Sequence, residues 1–475
     1  MTANGAGGGS PADGAEAVAL FTSDLRVHDQ PVLHAALTDA GRSGAVVPLF
    51  VRDTGVGAAG FDAPNRRAFL TESLGDLDAA LRERGGRLVI RSGAVVEEVC
   101  RVAAEAGARR VHLAAGVSRY AADRERRLRR ELGREGRELV VHDAVTTAVP
   151  PGWVTPSGGD HFAVFTPYHR QWERVGLREV LPAPRRVPVP EGIGGEEPGS
   201  AENVPGVSPE RARGGEREGR RRMAEWLDHG IHDYPDRHDD LAGDGTSRLS
   251  PHLHFGCVSA VELVRRSRRV GGAGAEAFVR QVAWRDFHHQ VLSARPGCSR
   301  RDYRGREDRW RSADGEAAGE VAAWREGRTG YPIVDAAMRQ LAAEGWMHNR
   351  GRLLVGSFLT KTLYVDWRVG ADHFLSLLVD GDIANNQMNW QWIAGTGTDT
   401  RPNRVLNPLV QAGRFDPDGA YVRRWVPELA GLEGAAVHEP WRLEGLDRAR
   451  IGDYPDPIVD LAEGRDRFQR ARHRG

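Results

Sequence analysis

The sequence predicts a two-part protein: an α/β N-terminal domain built on a doubly wound parallel sheet, followed by an all-α C-terminal domain. Three observations carry that expectation. Short apolar, β-prone runs alternate with helix-like stretches from Ala17 to about Val149. A segment rich in Pro, Gly and charge follows at 182–220, and beyond Met223 the pattern is helical almost throughout. Such alternation places helices on both faces of a parallel sheet, and a Pro/Gly-rich run between patterned regions marks a connection. At 475 residues the chain can hold two or three domains and a sizeable core. The expected divisions are a disordered tail at 1–16, the α/β domain at 17–149, the connection at 150–222, the helical domain at 223–465 and a short tail at 466–475.

In chain order, the strand candidates are VALF at 18–21, AVVPLFV at 45–51, RLVI at 87–90, VHLAA at 111–115 and LVV at 139–141. Between them, 69–85 and 119–133 read as amphipathic helices ending at glycine. No G-x-G-x-x-G turn follows the first strand, so an ordinary dinucleotide-binding fingerprint is absent from this half.

Composition narrows the function classes. Basic and acidic residues balance at 66 each, so any polyanion site must be a local patch. Lys361 is the only lysine. Cys100, Cys257 and Cys298 are scattered without C-x-x-C pairs, which argues against a disulfide framework and a zinc site; no metal is expected. No apolar run approaches membrane-spanning length and no signal peptide opens the chain. A soluble, cytoplasmic, monomeric protein is expected.

Four polar-aromatic segments stand out in the helical half. In DGDIANNQMNWQW (380–392), a helix would stack Asp382, Asn386 and Trp390 at i, i+4 and i+8 on one face. Two readings stand open there: a wall for a large heteroaromatic cofactor, or a capping region with two core tryptophans. GDGTSRLSPHLHFG (243–256) gathers Thr246, Ser247 and Ser250 in a glycine-led turn, with Ser250-Pro251 resembling a helix start. Hydroxyls and free N–H groups suit phosphate oxygens, although capping alone also explains such clusters. Ser259 and Glu262 form a capping box. FVRQVAWRDFHHQ (278–290) places Phe278, Gln281, Trp284 and Arg285 in one helical stripe, and 330–354 does the same for Asn349, Arg352 and Leu353. Nine of the twelve tryptophans lie after residue 280, fitting either a large helical core or an aromatic-lined site.

Taken together, TSRLS at 246–250, WRDF at 284–287, TGYPIVDAAMRQL at 329–341, GWMHNR at 345–350, DGD at 380–382, NWQW at 389–392 and TGTD at 396–399 resemble the photolyase/cryptochrome flavoproteins. FTSDLRVHDQPVL at 21–33 resembles that family's first strand and loop, so the likeness spans roughly 17–465. Within the family the resemblance points to bacterial class I cyclobutane pyrimidine dimer photolyases. It implies a Rossmann-like N-terminal domain and a helical domain binding FAD, active in its reduced anionic form. It further implies UV-damaged DNA as partner and light-driven repair of pyrimidine dimers as the reaction.

Carried over by resemblance, Tyr234 and the run Thr246, Ser247, Arg248, Leu249 and Ser250 would hold the diphosphate. Phe278, Gln281, Arg285, Asn349, Arg352, Asp380 and Asp382 would surround the rest of the cofactor, with Arg352 and Asp380 as an ion pair. Asn386 matches the residue facing flavin N5, where asparagine resembles photolyases more than plant cryptochromes. Trp310, Trp367 and Trp390 match an electron-carrying chain, and Trp284 and Trp392 the pair stacking on a flipped-out dimer beside Gln281, Asn349, Arg350 and Leu353. Gln281, Leu353 and His238 replace a family glutamate, methionine and arginine. These departures motivate the alternative of a cryptochrome-like blue-light sensor. For a second, antenna chromophore, Ala121 and Gly116 depart from folate-type and deazaflavin-type residues, while Asp53 and Arg66 resemble a deazaflavin pocket. The resemblance therefore points to 8-hydroxy-5-deazaflavin in preference to methenyltetrahydrofolate, with an empty or alternative pocket as the other reading.

Overall fold

The computed structural model describes residues 15–41 and 44–472. Nearly all of the expected N-terminal tail lies outside them. Five strands form one parallel sheet in the order β3-β2-β1-β4-β5: β1 Ala15–Phe21, β2 Ala45–Asp53, β3 Val89–Gly93, β4 Arg110–Ala114 and β5 Glu138–His142. All five expected strands are present, each within a few residues of its apolar run. Alternate residues feed two cores. Val18, Leu20, Val47, Leu49 and Val111 pack on one side with the helix Val95–Glu105. Ala17, Phe21, Val46 and Phe50 pack on the other with the helix Pro64–Arg82. Period-two alternation with both faces apolar is what a sheet covered on both sides requires.

The expected helix ends shift slightly. The helix Arg119–Arg134 runs through Gly133, and the left-handed turn comes at Gly136 (φ +71°). A helix, Leu461–Arg472, occupies most of the expected C-terminal tail. It is pinned by Phe468, which is 2 % exposed, and by Arg472, which bonds Ala394 O at 2.7 Å and Asp308 at 3.1 Å. Charge-rich composition concealed that anchorage. The connection is likewise partly structured, with helices Phe165–Trp172 and Glu216–Glu225 inside or across its boundary.

The sheet is bolted to the helical part by buried polar contacts. Arg26 is 1 % exposed and donates to Gly256 O (2.8 Å), Asp29 O and Val145 O. Gly256 has φ +67°, and a side chain there would run into the backbone of Ser23 and Asp24, so only glycine permits this approach. Arg66 donates to Phe61 O, Leu375 O and Leu378 O at 2.8, 2.5 and 2.9 Å. That last contact sets the position of the turn leading to Asp380. Among the described residues no helix is long and apolar enough to cross a membrane.

Candidate functional site

The segment 380–392 forms the helix Ile383–Ala394, with Asp382 as its N-cap accepting from Asn385 N at 2.7 Å. The capping and cofactor-wall readings are therefore compatible, because one carboxylate caps the helix and faces a cavity. That cavity has a volume of about 300 Å³ and a wide mouth open to solvent. It therefore falls within the range of small-molecule clefts, roughly 300–1,000 Å³.

Five separate stretches meet around it. Asp382, Asn386 and Trp390 line one wall, as the i, i+4, i+8 spacing requires. Phe278, Gln281 and Arg285 arrive from the helix Gly272–Ala294; Asn349, Arg352 and Leu353 from the helix Asn349–Ser357; Asp380 from the preceding turn. Tyr234 and Thr246 to Ser250 close the remaining side.

Within that last loop the roles differ from the expectation. Arg248 has a left-handed backbone (φ +49°), and its guanidinium turns to Glu344 (2.9 Å) and Asp244 while lying 4.2 Å over the Trp346 ring. Its charge is spent on the wall, so the loop offers backbone rather than this side chain. Ser250 is the first helical residue of Ser250–His254 and not its N-cap; its Oγ accepts from Trp346 Nε1 at 3.2 Å. Thr246 Oγ1 is buried without a hydrogen-bond partner among the described residues. A desolvated hydroxyl of that kind calls for a ligand oxygen. Ser259 does cap its helix, accepting from Glu262 N at 3.2 Å.

Charge is arranged in pairs. Arg352 holds Asp380 through one nitrogen at 2.9 and 3.1 Å and donates to Met347 O at 2.8 Å. Arg285 is committed to Thr146 O (2.7 Å) and Leu253 O (3.2 Å). Burial would raise the Asp382 carboxyl, but the adjacent His289 and the nearby Arg285 overcome it and hold the group well below the usual carboxylate range. Burial pushes His254 down to about 4 despite Asp382, so this wall residue is neutral near pH 7. Asn386 donates to Ala371 O at 3.1 Å, which fixes its amide so that the oxygen is the group left to accept.

Several expected residues lie elsewhere. Trp367 is fully buried, with Nε1 on Asp302 at 2.8 Å, and Trp310 is half-buried, 4.9 Å from the Tyr364 ring. Trp390 abuts Gly370, one turn along the helix Trp367–Leu377 that begins with Trp367. Trp284 stacks on Phe165 at 3.8 Å and 6°, just outside the lining. Trp392 also leaves the wall, because two residues on a helix rotate it some 200° from Trp390. Arg350 pairs with Asp239 at 2.5 Å and lies over Phe415. Asp53 caps a short helix through Gly55 N and receives the Tyr120 hydroxyl, whereas Arg66 goes to Phe61, Leu375 and Leu378. The two share no partner, so Arg66 belongs to the interdomain junction rather than to a pocket with Asp53.

Sequence reasoning missed His254, Trp346, Phe374, Asn385 and Asn389, all of which line the cavity. Asn385 and Asn389 were open to discovery by helical spacing from Asp382. Phe374 was not, since it comes from a different helix. Trp324 is also unforeseen: fully buried, it meets Trp390 edge-to-face at 6.1 Å.

Residues 17–189 match the model of the DNA photolyase family, and residues 278–474 match the FAD binding domain of DNA photolyase. The deoxyribodipyrimidine photo-lyase of Streptomyces griseus is 66% identical over 96% of this chain and 99% of its own. That of Escherichia coli K12 is 35% identical over 94% and 96%. Among solved structures, a class III photolyase from Agrobacterium tumefaciens superposes with a TM-score of 0.89 at 30% identity, covering 98% of each chain. A Synechocystis cryptochrome gives 0.88 at 30% identity, covering 96% of this chain and 99% of its own. The chain belongs to the photolyase/cryptochrome family.

Proposed function

We propose that this protein is a light-driven carbon–carbon lyase that repairs cyclobutane pyrimidine dimers in DNA with FAD as its cofactor. The observation that carries this reading is the single cavity that unites 246–250, 278–285, 349–353 and 380–390. Its donor set fits FAD: Thr246's orphaned hydroxyl and the glycine-led turn suit a diphosphate, and Asp382 and Asn386 suit ring N–H groups.

Bound there, reduced FAD would supply photoexcited one-electron donation to the dimer, the electron returning after the cyclobutane bonds split, with no net redox change. The chain's residues prepare for that event. Phe278, Val282, Met347, Leu353, Phe374 and Ile393 form the apolar lining that excludes water. Arg352 and Asp380 would present a neutralised pair to the cofactor, so no net charge is buried in that wall. Trp390, Trp367 and Trp310 provide successive oxidisable indoles from the cavity toward the surface. Trp284, held flat by Phe165, and Trp392 receive the flipped-out bases, with stacking worth about 1–3 kcal/mol per base. Gln281, Asn349 and Arg350 complete the DNA-facing rim.

For the antenna, 8-hydroxy-5-deazaflavin is favoured over methenyltetrahydrofolate on Asp53 alone, since Arg66 turns away. The enzyme acts as a monomer in this reading.

The test is direct. Purified protein, reduced and illuminated with blue light, is incubated with an oligonucleotide carrying a thymine dimer. Loss of the dimer in light and not in darkness is expected. A dimer that persists while the flavin photoreduces normally would refute repair and favour the cryptochrome-like sensor.

A further inference from the structure

His289 lies behind the cavity wall, one helical turn beyond Arg285, and is 3 % exposed. Its Nε2 is 3.2 Å from Asp382 Oδ2, and its Nδ1 is 2.8 Å from the carbonyl oxygen of Arg285. Both neighbours are acceptors. A neutral imidazole has a single N–H, so only the doubly protonated ring satisfies both contacts. Most of the other charged or titratable groups around this pair are otherwise committed. Arg285 donates to Thr146 O and Leu253 O, and Asp286 accepts from Ala148 N, Val149 N and Trp172 Nε1. His288 shares Nδ1 with the Asn385 side chain, and His254 has no hydrogen bond among the described residues.

The lone pairs of Asp382 can then be assigned. Oδ1 accepts from the Asn385 backbone N–H at 2.7 Å and the Asn385 amide at 2.9 Å, which fills it. Oδ2 has the His289 ion-pair contact at 3.2 Å and no hydrogen-bond donor among the described residues, so it keeps a lone pair. The carboxylate lines the cavity, so that lone pair is available to a ligand.

We propose that His289 is a positioning residue that keeps Asp382 an oriented, anionic acceptor with one vacancy for a ring N–H of the cofactor. The inference rests on the FAD reading above. Without the histidine, the carboxylate loses its contacting cation, takes up a proton more readily and can present an O–H where an acceptor is needed. His289 acts through Asp382 and does not itself line the cavity.

Two measurements test this. In the first, apoprotein is titrated with FAD, and the dissociation constant is compared for wild type, His289→Gln, Asp382→Asn and the double variant, with thermal unfolding checked for each. His289→Gln is expected to weaken binding about tenfold or more, the scale of one lost charge-assisted hydrogen bond. In the Asp382→Asn background the same change should add little. Equal losses in both backgrounds, or no loss in either, would overturn the proposal.

The second measurement needs no cofactor. Nitrogen-15 histidine NMR of the apoprotein should show one ring with both nitrogens protonated, absent from His289→Gln. A neutral His289 signal would overturn the proposal even if FAD binds. Failure of wild type to bind FAD would instead remove the flavin reading, with the NMR result still deciding the state of His289.

Discussion

Replacing Gly370 with alanine sets helix propensity against packing at the cavity's electron-rich edge. Gly370 lies inside the helix Trp367–Leu377, where alanine is favoured over glycine by about 1 kcal/mol. Its added methyl group, however, would overlap two carbons of the Trp390 indole and stand 2.7 Å from Leu359 Cδ2. Both neighbours are core residues, with Trp390 at 2 % and Leu359 at 0 % exposure, so the indole must shift within a closed cluster. Overpacking of this kind costs about 1–3 kcal/mol. The net effect is a destabilisation of up to about 2 kcal/mol, read as a lower urea midpoint at unchanged slope. The displaced indole also leaves its edge contacts with Phe374 (5.0 Å) and Trp324 (6.1 Å), so flavin photoreduction should slow as well. Trp390→Phe provides the limiting comparison, expected to abolish most photoreduction. A Gly370→Ala protein more stable by about 1 kcal/mol, with normal photoreduction, would mean that propensity wins and the packing argument is wrong.

Three other outcomes are expected. Burial pushes His252, His288 and His348 down to about 4, so they stay neutral in the folded state while the unfolded chain takes up protons near pH 6.5. Stability should therefore fall as pH drops from about 6.5 toward 4, by at most about 1.4 kcal/mol per pH unit for each histidine; a melting temperature level between pH 6.5 and 5 would contradict this. Arg66→Met strips donors from three carbonyls at the interdomain junction. It should cost roughly 2–4 kcal/mol in thermal unfolding, and a loss below about 0.5 kcal/mol would show that water replaces the guanidinium at little cost. Gln281→Glu should raise the quantum yield of dimer repair if the missing carboxylate matters to the reaction; an identical yield would show that the amide serves equally well.

Local sequence was enough for the architecture. The five strands announce themselves as apolar runs, since a sheet covered on both faces buries most residues of its inner strands. Helical spacing placed Asp382, Asn386 and Trp390 on one wall and put Phe278, Gln281 and Arg285 on another. The motif set, read together, also identified the family. What the sequence could not reveal depends on neighbours distant in the chain. Arg248 is spent on Glu344, nearly a hundred residues away, and Arg66 on carbonyls some 310 residues away. His289 was one of two adjacent histidines with nothing to distinguish it until Asp382 was brought to 3.2 Å. Spacing along a helix is set by backbone geometry and is legible locally. Which partner a buried charge finds is set by how helices pack, because each must be neutralised by whatever the fold brings beside it.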